Sequence, residues 1–203
     1  MSAQGTPPHW AEALLRTTVG AREFDNVSGD LLEEYRETVL PERGRAGADL
    51  WYARQVLGFV WRNARLWAIV FATAFIGRTA LDWLVPTSNF ETRSRVTTAL
   101  AATILVAAAF WAAWRTRSIA AGPLFAISTA AIAAPIDIAG AAALLATRHD
   151  AATMAAIDGS GGLAEVFTLP VLVIVPALLL GAAGGLAAAA AQTAFECLVK
   201  SAE

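Results

Sequence analysis

The sequence is poor in the residues that most metal sites and disulfide-stapled folds require. It has one cysteine, Cys197, and two histidines, His9 and His149, in 203 residues. A lone cysteine cannot form an intramolecular disulfide, and the two distant histidines do not match the ligand spacing of a zinc site. The formal net charge of −2 gives no basic excess for binding nucleic acid. We therefore expect no metal ion, no cofactor and no nucleic-acid partner.

Charged residues are also scarce. They make up 16% of the chain, against 57% hydrophobic residues, whereas soluble domains carry about 25% charged residues. The mean hydropathy is +0.53. Residues 1–66 hold 17 of the 32 charges, and the other 137 residues hold 15. This split predicts a polar N-terminal region followed by a region embedded in lipid.

Four segments are long and apolar enough to cross a bilayer. A hydrocarbon core of about 30 Å requires roughly 20 apolar residues in a helix. The predicted spans are about 66–85, 96–114, 119–146 and 163–190. We expect the first to stop at Pro86 and the last two to be joined by a flexible connector at 158–162. The sequence thus predicts an all-α polytopic membrane protein, with a four-helix transmembrane domain over 66–190 and a cytoplasmic C-terminal tail over 191–203.

The basic residues beside these spans favour a cytoplasmic location for both termini. Short loops rich in Lys and Arg tend to stay in the cytoplasm. With the N-terminus inside, the inner flanks hold Arg54, Arg62, Arg65, Arg115, Arg117 and Lys200, and the outer loops hold Arg93, Arg95 and Arg148. Tryptophans near predicted helix ends are expected at the headgroups. They are Trp51, Trp61, Trp67, Trp83, Trp111 and Trp114.

Three ionisable residues lie inside the first and third predicted spans. Arg78 and Asp82 are four residues apart on the first span, so they lie on one helix face, and Asp137 lies on the third. All three fall toward the outer side, where we expect them to meet in one intramembrane polar cluster. Pro135 removes a backbone donor beside Asp137 and favours a local distortion. The cluster is either a salt bridge that fixes helix order or a site for sensing an ion or substrate.

Small residues recur every four positions on the fourth span, at Gly181, Gly185 and Ala189. Such spacing allows helix backbones to approach closely in lipid. We expect this helix-packing face to contact either the chain's own helices or a second polypeptide.

The first 65 residues are predicted to form a cytoplasmic helical domain that ends in a juxtamembrane helix. Residues 9–19 form a short amphipathic pattern. A second helix is expected to begin after Ser28 and to stop at Pro41, with an apolar stripe at four-residue spacing. A third helix starts near Ala46 and continues into the first span to Val85, about 60 Å in all at 1.5 Å per residue.

Three stretches of this region resemble a known family. They are Gly29–Glu37 (GDLLEEYRE), Pro41–Arg45 (PERGR) and Leu50–Leu57 (LWYARQVL). Together they resemble the permease prefix domain of bacterial macrolide-exporter-type ABC permeases, over about residues 8–65. The resemblance implies a bacterial inner-membrane protein in which the prefix serves as an interaction module.

The residues of the prefix suggest where such an interaction would occur. Asp30, Glu33, Glu34 and Glu37 form an acidic face opposite the apolar stripe. This face is either a solvated helix surface or a candidate docking face for a protein partner.

No nucleophile, base and orienting group occur together, so we expect no enzyme. The leading hypothesis is an accessory or regulatory subunit that docks a cytoplasmic partner or an ABC-type permease. The alternative is a small oligomeric channel or transporter that uses the intramembrane charges. Besides the lipid bilayer, the expected partner is a second protein or another copy of this chain.

Overall fold

The computed structural model describes residues 5–85, 87, 89–148, 150–159 and 162–202. Pro86, His149 and residues 160–161 of the expected connector lie outside the described residues, as do residues 1–4 and Glu203. The chain is 92% helix, and no strand occurs in the part that the structure describes.

Eight α-helices follow one another in the described part of the chain. They are α1 (His9–Thr18), α2 (Ala21–Glu34), α3 (Leu40–Leu84), α4 (Phe90–Thr116), α5 (Ala121–Thr147), α6 (Ala151–Gly159), α7 (Gly162–Leu172) and α8 (Ile174–Ala202), with a π-helical turn at Tyr35–Val39 between α2 and α3. Four stretches are long and apolar enough to span a membrane: Glu23–Leu84, Phe90–Thr116, Ala121–Thr147 and Gly162–Ser201. The predicted number of spans is thereby confirmed.

The predicted bounds of the second helix are wrong at both ends. The helix begins at Ala21, directly after Gly20, so Ser28 lies inside it. Pro41 does not stop the helix but lies in the first turn of α3, where a missing N–H is tolerated because no intrahelical partner is required there. In the π-helical turn before it, the Leu40 N–H donates to the carbonyl of Tyr35.

The change of chain direction occurs instead at Gly44. Its φ of 66° and ψ of 178° interrupt the helical geometry of α3, and this backbone conformation strongly favours glycine. Beyond Gly44 the helix has no further non-helical residue as far as Leu84. The predicted long helix, continuous from the N-terminal region into the first span, is therefore confirmed.

We call α1, α2, the π-helical turn and α3 up to Arg65 the head. Its core joins all of these helices and consists of Ala11, Leu15, Val19, Phe24, Tyr35, Val39, Ala48, Tyr52 and Val56. The Tyr35 and Tyr52 rings make an edge-to-face contact with centroids 5.9 Å apart. The Tyr35 hydroxyl donates to Asp49 at 2.6 Å. Burial, then this carboxylate, raise the pKa of Tyr35 to about 12.

The core between the long helices is built largely from alanine. Its buried members are Ala68, Phe71, Ala72, Phe75, Leu105, Ala109, Ala126, Ala130, Ala133 and Ala177, contributed by α3, α4, α5 and α8. Side chains this small let helix backbones come close, so dispersion contacts can hold the bundle where lipid removes the hydrophobic driving force.

Residues 151–159 lie between the third and fourth predicted spans and form the short helix α6, which includes the first two residues of the expected connector at 158–162. Asp150 caps it, because its Oδ1 accepts the N–H of Thr153 at 2.9 Å. Hydrogen bonding from Thr153 lowers the pKa of Asp150. Ile157 of α6 packs with Trp83 and Ala141 in one cluster. Trp83 is only 2% exposed, so its ring packs inside the protein.

The fourth predicted span is two helices, α7 and α8, divided at Val173. Pro170 lies inside α7 and Pro176 in the first turn of α8. Each removes one backbone donor from the helix ladder, which accounts for the break. The helix then continues to Ala202, so residues 191–202 are helical and continuous with the fourth span.

The head and the C-terminal end of α8 lie at the same end of the bundle. Arg115, in the last turn of α4, contacts Glu23 of the head at 3.4 Å. Two residues later, Arg117 contacts Glu196 of α8 at 3.4 Å. The α6 helix therefore caps the opposite end, which we call the far end.

The packing face on α8 is buried within the chain. A Cβ added to Gly181 would lie 2.5 Å from the Cα of Pro123, and one added to Gly185 would lie 2.6 Å from the carbonyl oxygen of Ile119. Both positions thus need glycine for contact with the start of α5. Ala189, the third member, is half-buried. Of the two expected contacts, the structure shows the internal one.

Alanine substitutions at two glycines should have opposite effects. Gly181→Ala forces α5 and α8 apart and is expected to lower the free energy of unfolding by about 1–3 kcal/mol. Gly58→Ala, within α3, is the matched control because a Cβ there meets nothing within 4 Å. It should raise stability by about 0.5–1 kcal/mol, since alanine is the better helix former. Denaturant titration in detergent measures both, and a neutral Gly181→Ala would contradict the α5–α8 packing.

Candidate functional site

Three charged side chains meet near the far end of the bundle. Arg78 and Asp82 come from the last turns of α3, and Arg93 comes from the start of α4. The Asp82 carboxylate lies 3.1 Å from Nε of Arg93 and 3.7 Å from Nε of Arg78. The side chain of Asp82 is 8% exposed, that of Arg93 is 17% exposed and that of Arg78 is 19% exposed. One carboxylate is thus shared by two largely buried guanidinium groups, and we call this set the charge triad.

Arg93 was missed by the sequence analysis, which assigned it to an outer loop. The structure starts α4 at Phe90, six residues before the predicted span, and this extra helix turns Arg93 toward α3. Its Nη1 also donates a hydrogen bond to the carbonyl of Val85. The only signal available in the sequence was a carboxylate and an arginine on either side of a short turn.

Asp137 stands apart from the charge triad. Its side chain is buried at 3% exposure, and neither carboxylate oxygen has a hydrogen-bond partner. Among the residues described, no cation lies within ion-pair distance of it. The structure therefore pairs Arg78 with Asp82 as predicted but does not bring Asp137 to them. Pro135, two residues earlier, lies inside α5, where it leaves the carbonyl of Ala131 without its usual donor.

A small cavity of about 30 Å³ opens beside the charge triad. Its polar wall is formed by Arg78, Thr79 and Asp82, and its apolar wall includes Phe75, Trp83 and Val166. The guanidinium of Arg78 also lies over the Phe75 ring, 5.8 Å from its centroid. The cavity has room for water-sized groups, since one water needs roughly 10–15 Å³ of such space.

The acidic face lies on the outer surface of the head. Asp30, Glu33 and Glu34 lie in the last turns of α2, and Glu37 lies in the π-helical turn. All four are exposed, and none of them forms an ion pair with a described residue. Two other head carboxylates do form ion pairs, Asp49 with Arg45 and Glu23 with Arg115. The four acids therefore present uncompensated negative charge on a packed scaffold.

The described part of the chain offers no group of three His, Cys, Asp or Glu side chains that could hold a metal ion. Comparisons with protein-family models, with curated proteins and with solved structures find no match to this chain. The geometry of the charge triad, of Asp137 and of the acidic face is therefore what a functional interpretation rests on.

Asp82 and Asp137 should respond differently to the same substitution. Asp82→Asn leaves two buried guanidinium groups without their shared counter-charge, and we expect the free energy of unfolding to fall by about 3 kcal/mol. Asp137→Asn removes no partner, so the change should stay within about 1 kcal/mol. Unfolding of both variants in detergent is the measurement, and equal losses would contradict the separate placement of the two residues.

Proposed function

We propose that this chain is a four-span protein of the bacterial inner membrane with both termini in the cytoplasm. It is a non-enzymatic accessory or regulatory subunit that docks a cytoplasmic partner or an ABC-type permease through its head. The observation that carries this proposal is the set of four exposed carboxylates on the head, none of which forms an ion pair with a described residue. The resemblance of residues 8–65 to a permease prefix domain points to the same role.

The arrangement of the helices supports this topology. Four apolar helical stretches return the chain to the side on which it began. The Arg115–Glu23 and Arg117–Glu196 contacts place the head and the C-terminal helix at one end of the bundle. Arg93 pairs with Asp82 in the charge triad, so its charge is balanced inside the protein. Arg93 therefore counts less as a loop arginine that would favour a cytoplasmic location for the turn after α3.

The head also has the stiffness that a docking module requires. Its core is continuous across α1, α2 and α3, and α3 carries it without a further break into the first span. Asn63 of α3 donates to the carbonyl of Thr18 at 3.3 Å and accepts from Arg115 of α4 at 3.3 Å. Binding of a partner to the head would therefore affect the bundle both through α3 and through these side-chain contacts.

Charge reversal on the acidic face tests the docking proposal. The double substitution Glu33→Lys and Glu37→Lys is expected to abolish co-purification of the partner from native membranes in mild detergent, while helicity and thermal stability stay unchanged. Glu42→Lys is the control, because Glu42 is an exposed head carboxylate outside the acidic face. The intact mass of the complex reports partner and copy number together. Capture that is unchanged in the double variant would contradict the proposal.

A second candidate function, a small oligomeric channel or transporter, is favoured by Asp137 alone. A buried carboxyl without a partner is costly in a membrane helix and often marks an ion or proton path. On this hypothesis Asp137→Asn abolishes ion flux into reconstituted vesicles while the protein still folds. Asp158→Asn, an exposed acid at the far end, should leave flux unchanged. If the wild-type protein carries no flux, the transport hypothesis fails.

A further inference from the structure

Arg78 is largely buried but donates no hydrogen bond within the described chain. Its side chain is 19% exposed, and its ion-pair partner Asp82 lies 3.7 Å away, beyond the usual hydrogen-bond distance. A guanidinium group carries five N–H donors. Because Arg78 lines the far-end cavity, its donors are open to a ligand there.

The charge triad also carries one positive charge in excess. Arg93 approaches Asp82 more closely than Arg78 does, at 3.1 Å against 3.7 Å, so the carboxylate mainly balances Arg93. Glu91, on the same turn of α4, forms an exposed pair with another arginine. Asp137 has no cation within ion-pair distance among the described residues. The uncompensated charge therefore lies on Arg78, where low polarity makes an anion favourable.

We propose that Arg78 binds a phosphate group in this cavity, and that the phosphate belongs to the headgroup of a phospholipid. The free space of about 30 Å³ fits one or two phosphate oxygens, and a guanidinium fork matches phosphate geometry.

The position of the cavity favours a lipid source over free phosphate. Arg78 precedes the end of α3 at Leu84 by six residues, about 9 Å along the helix, so it lies near the end of the proposed span. This inference rests on the proposed membrane setting and is independent of the acidic face.

Lipid binding to the full chain in a neutral detergent tests the proposal. Native mass spectrometry would follow one-to-one binding of phosphatidylglycerol to the wild type and to Arg78→Gln. We expect binding at least about tenfold weaker in the variant, since charge-assisted hydrogen bonds are lost. Arg95→Gln is the matched control, because Arg95 lies on the same turn as Arg93 but is 77% exposed. It should bind like the wild type.

Two competitors separate the sources of phosphate. Diacylglycerol with the same acyl chains lacks the phosphate and should not displace phosphatidylglycerol; equal displacement would overturn the proposal. Displacement by inorganic phosphate, lost in Arg78→Gln, would keep the phosphate site but assign it to the free ion. Undiminished lipid binding by Arg78→Gln would overturn the site.

A second variant covers the case in which Arg78→Gln does not fold. Val166→Phe fills the cavity from its apolar wall and leaves every charge of the triad in place. It should lose phosphatidylglycerol binding to a similar extent, and wild-type binding by Val166→Phe would overturn the proposal. Loss of partner capture through the head would not affect either result, so the two proposals fail separately.

Discussion

A charge in a medium of low polarity must have a partner, and this requirement governs the far end of the bundle. Asp82 satisfies it twice, by contact with Arg78 on its own helix and with Arg93 on the next. The contact with Arg93 ties the start of α4 to the end of α3 and so fixes the turn between the first two spans. Asp137 is the exception, because no cation among the described residues lies within ion-pair distance of its buried carboxylate.

Between the two ends, close packing of small residues replaces the hydrophobic effect. Alanine fills most of the bundle core, and glycine brings α8 into backbone contact with α5. A bundle held in this way tolerates little added volume at its contact positions. Outward-facing apolar residues such as Leu179 and Val175 are exposed in the isolated chain, as expected of helices whose solvent is lipid.

The head and the bundle form one mechanical unit. The α3 helix runs through both, and Arg115 joins α4 to the head at Glu23 and Asn63. In the proposed topology the acidic face lies on the cytoplasmic side and the charge triad lies at the opposite membrane surface. The α3 helix therefore links the head, whose α2 and π-helical turn carry the acidic face, to the charge triad.

Composition and local periodicity were sufficient to predict the membrane-spanning helices and the length of α3. Runs of apolar residues identified four spans, and the absence of proline between Ala46 and Val85 predicted the long α3. Ser28 and Pro41 are residue types typical of helix ends, but both lie within helices. Apolar residues on either side of them pack into one core, and this packing outweighs the local signals. The short helix α6 was missed because its nine residues are too few to show a clear period.

Only the tertiary structure decided which residues meet across helices. The spacing of Arg78 and Asp82 predicts their contact, because four residues bring side chains together on one helix. No such rule relates Arg93 to Asp82 or separates Asp137 from both, since these relations depend on where α4 begins and how α5 is rotated. The sequence left open whether Gly181 and Gly185 contact the chain's own helices or a second polypeptide. The structure places the start of α5 against them. The spacing of residues along the sequence identifies which face of a helix makes contacts. The neighbouring helix that this face contacts depends on how the helices pack together.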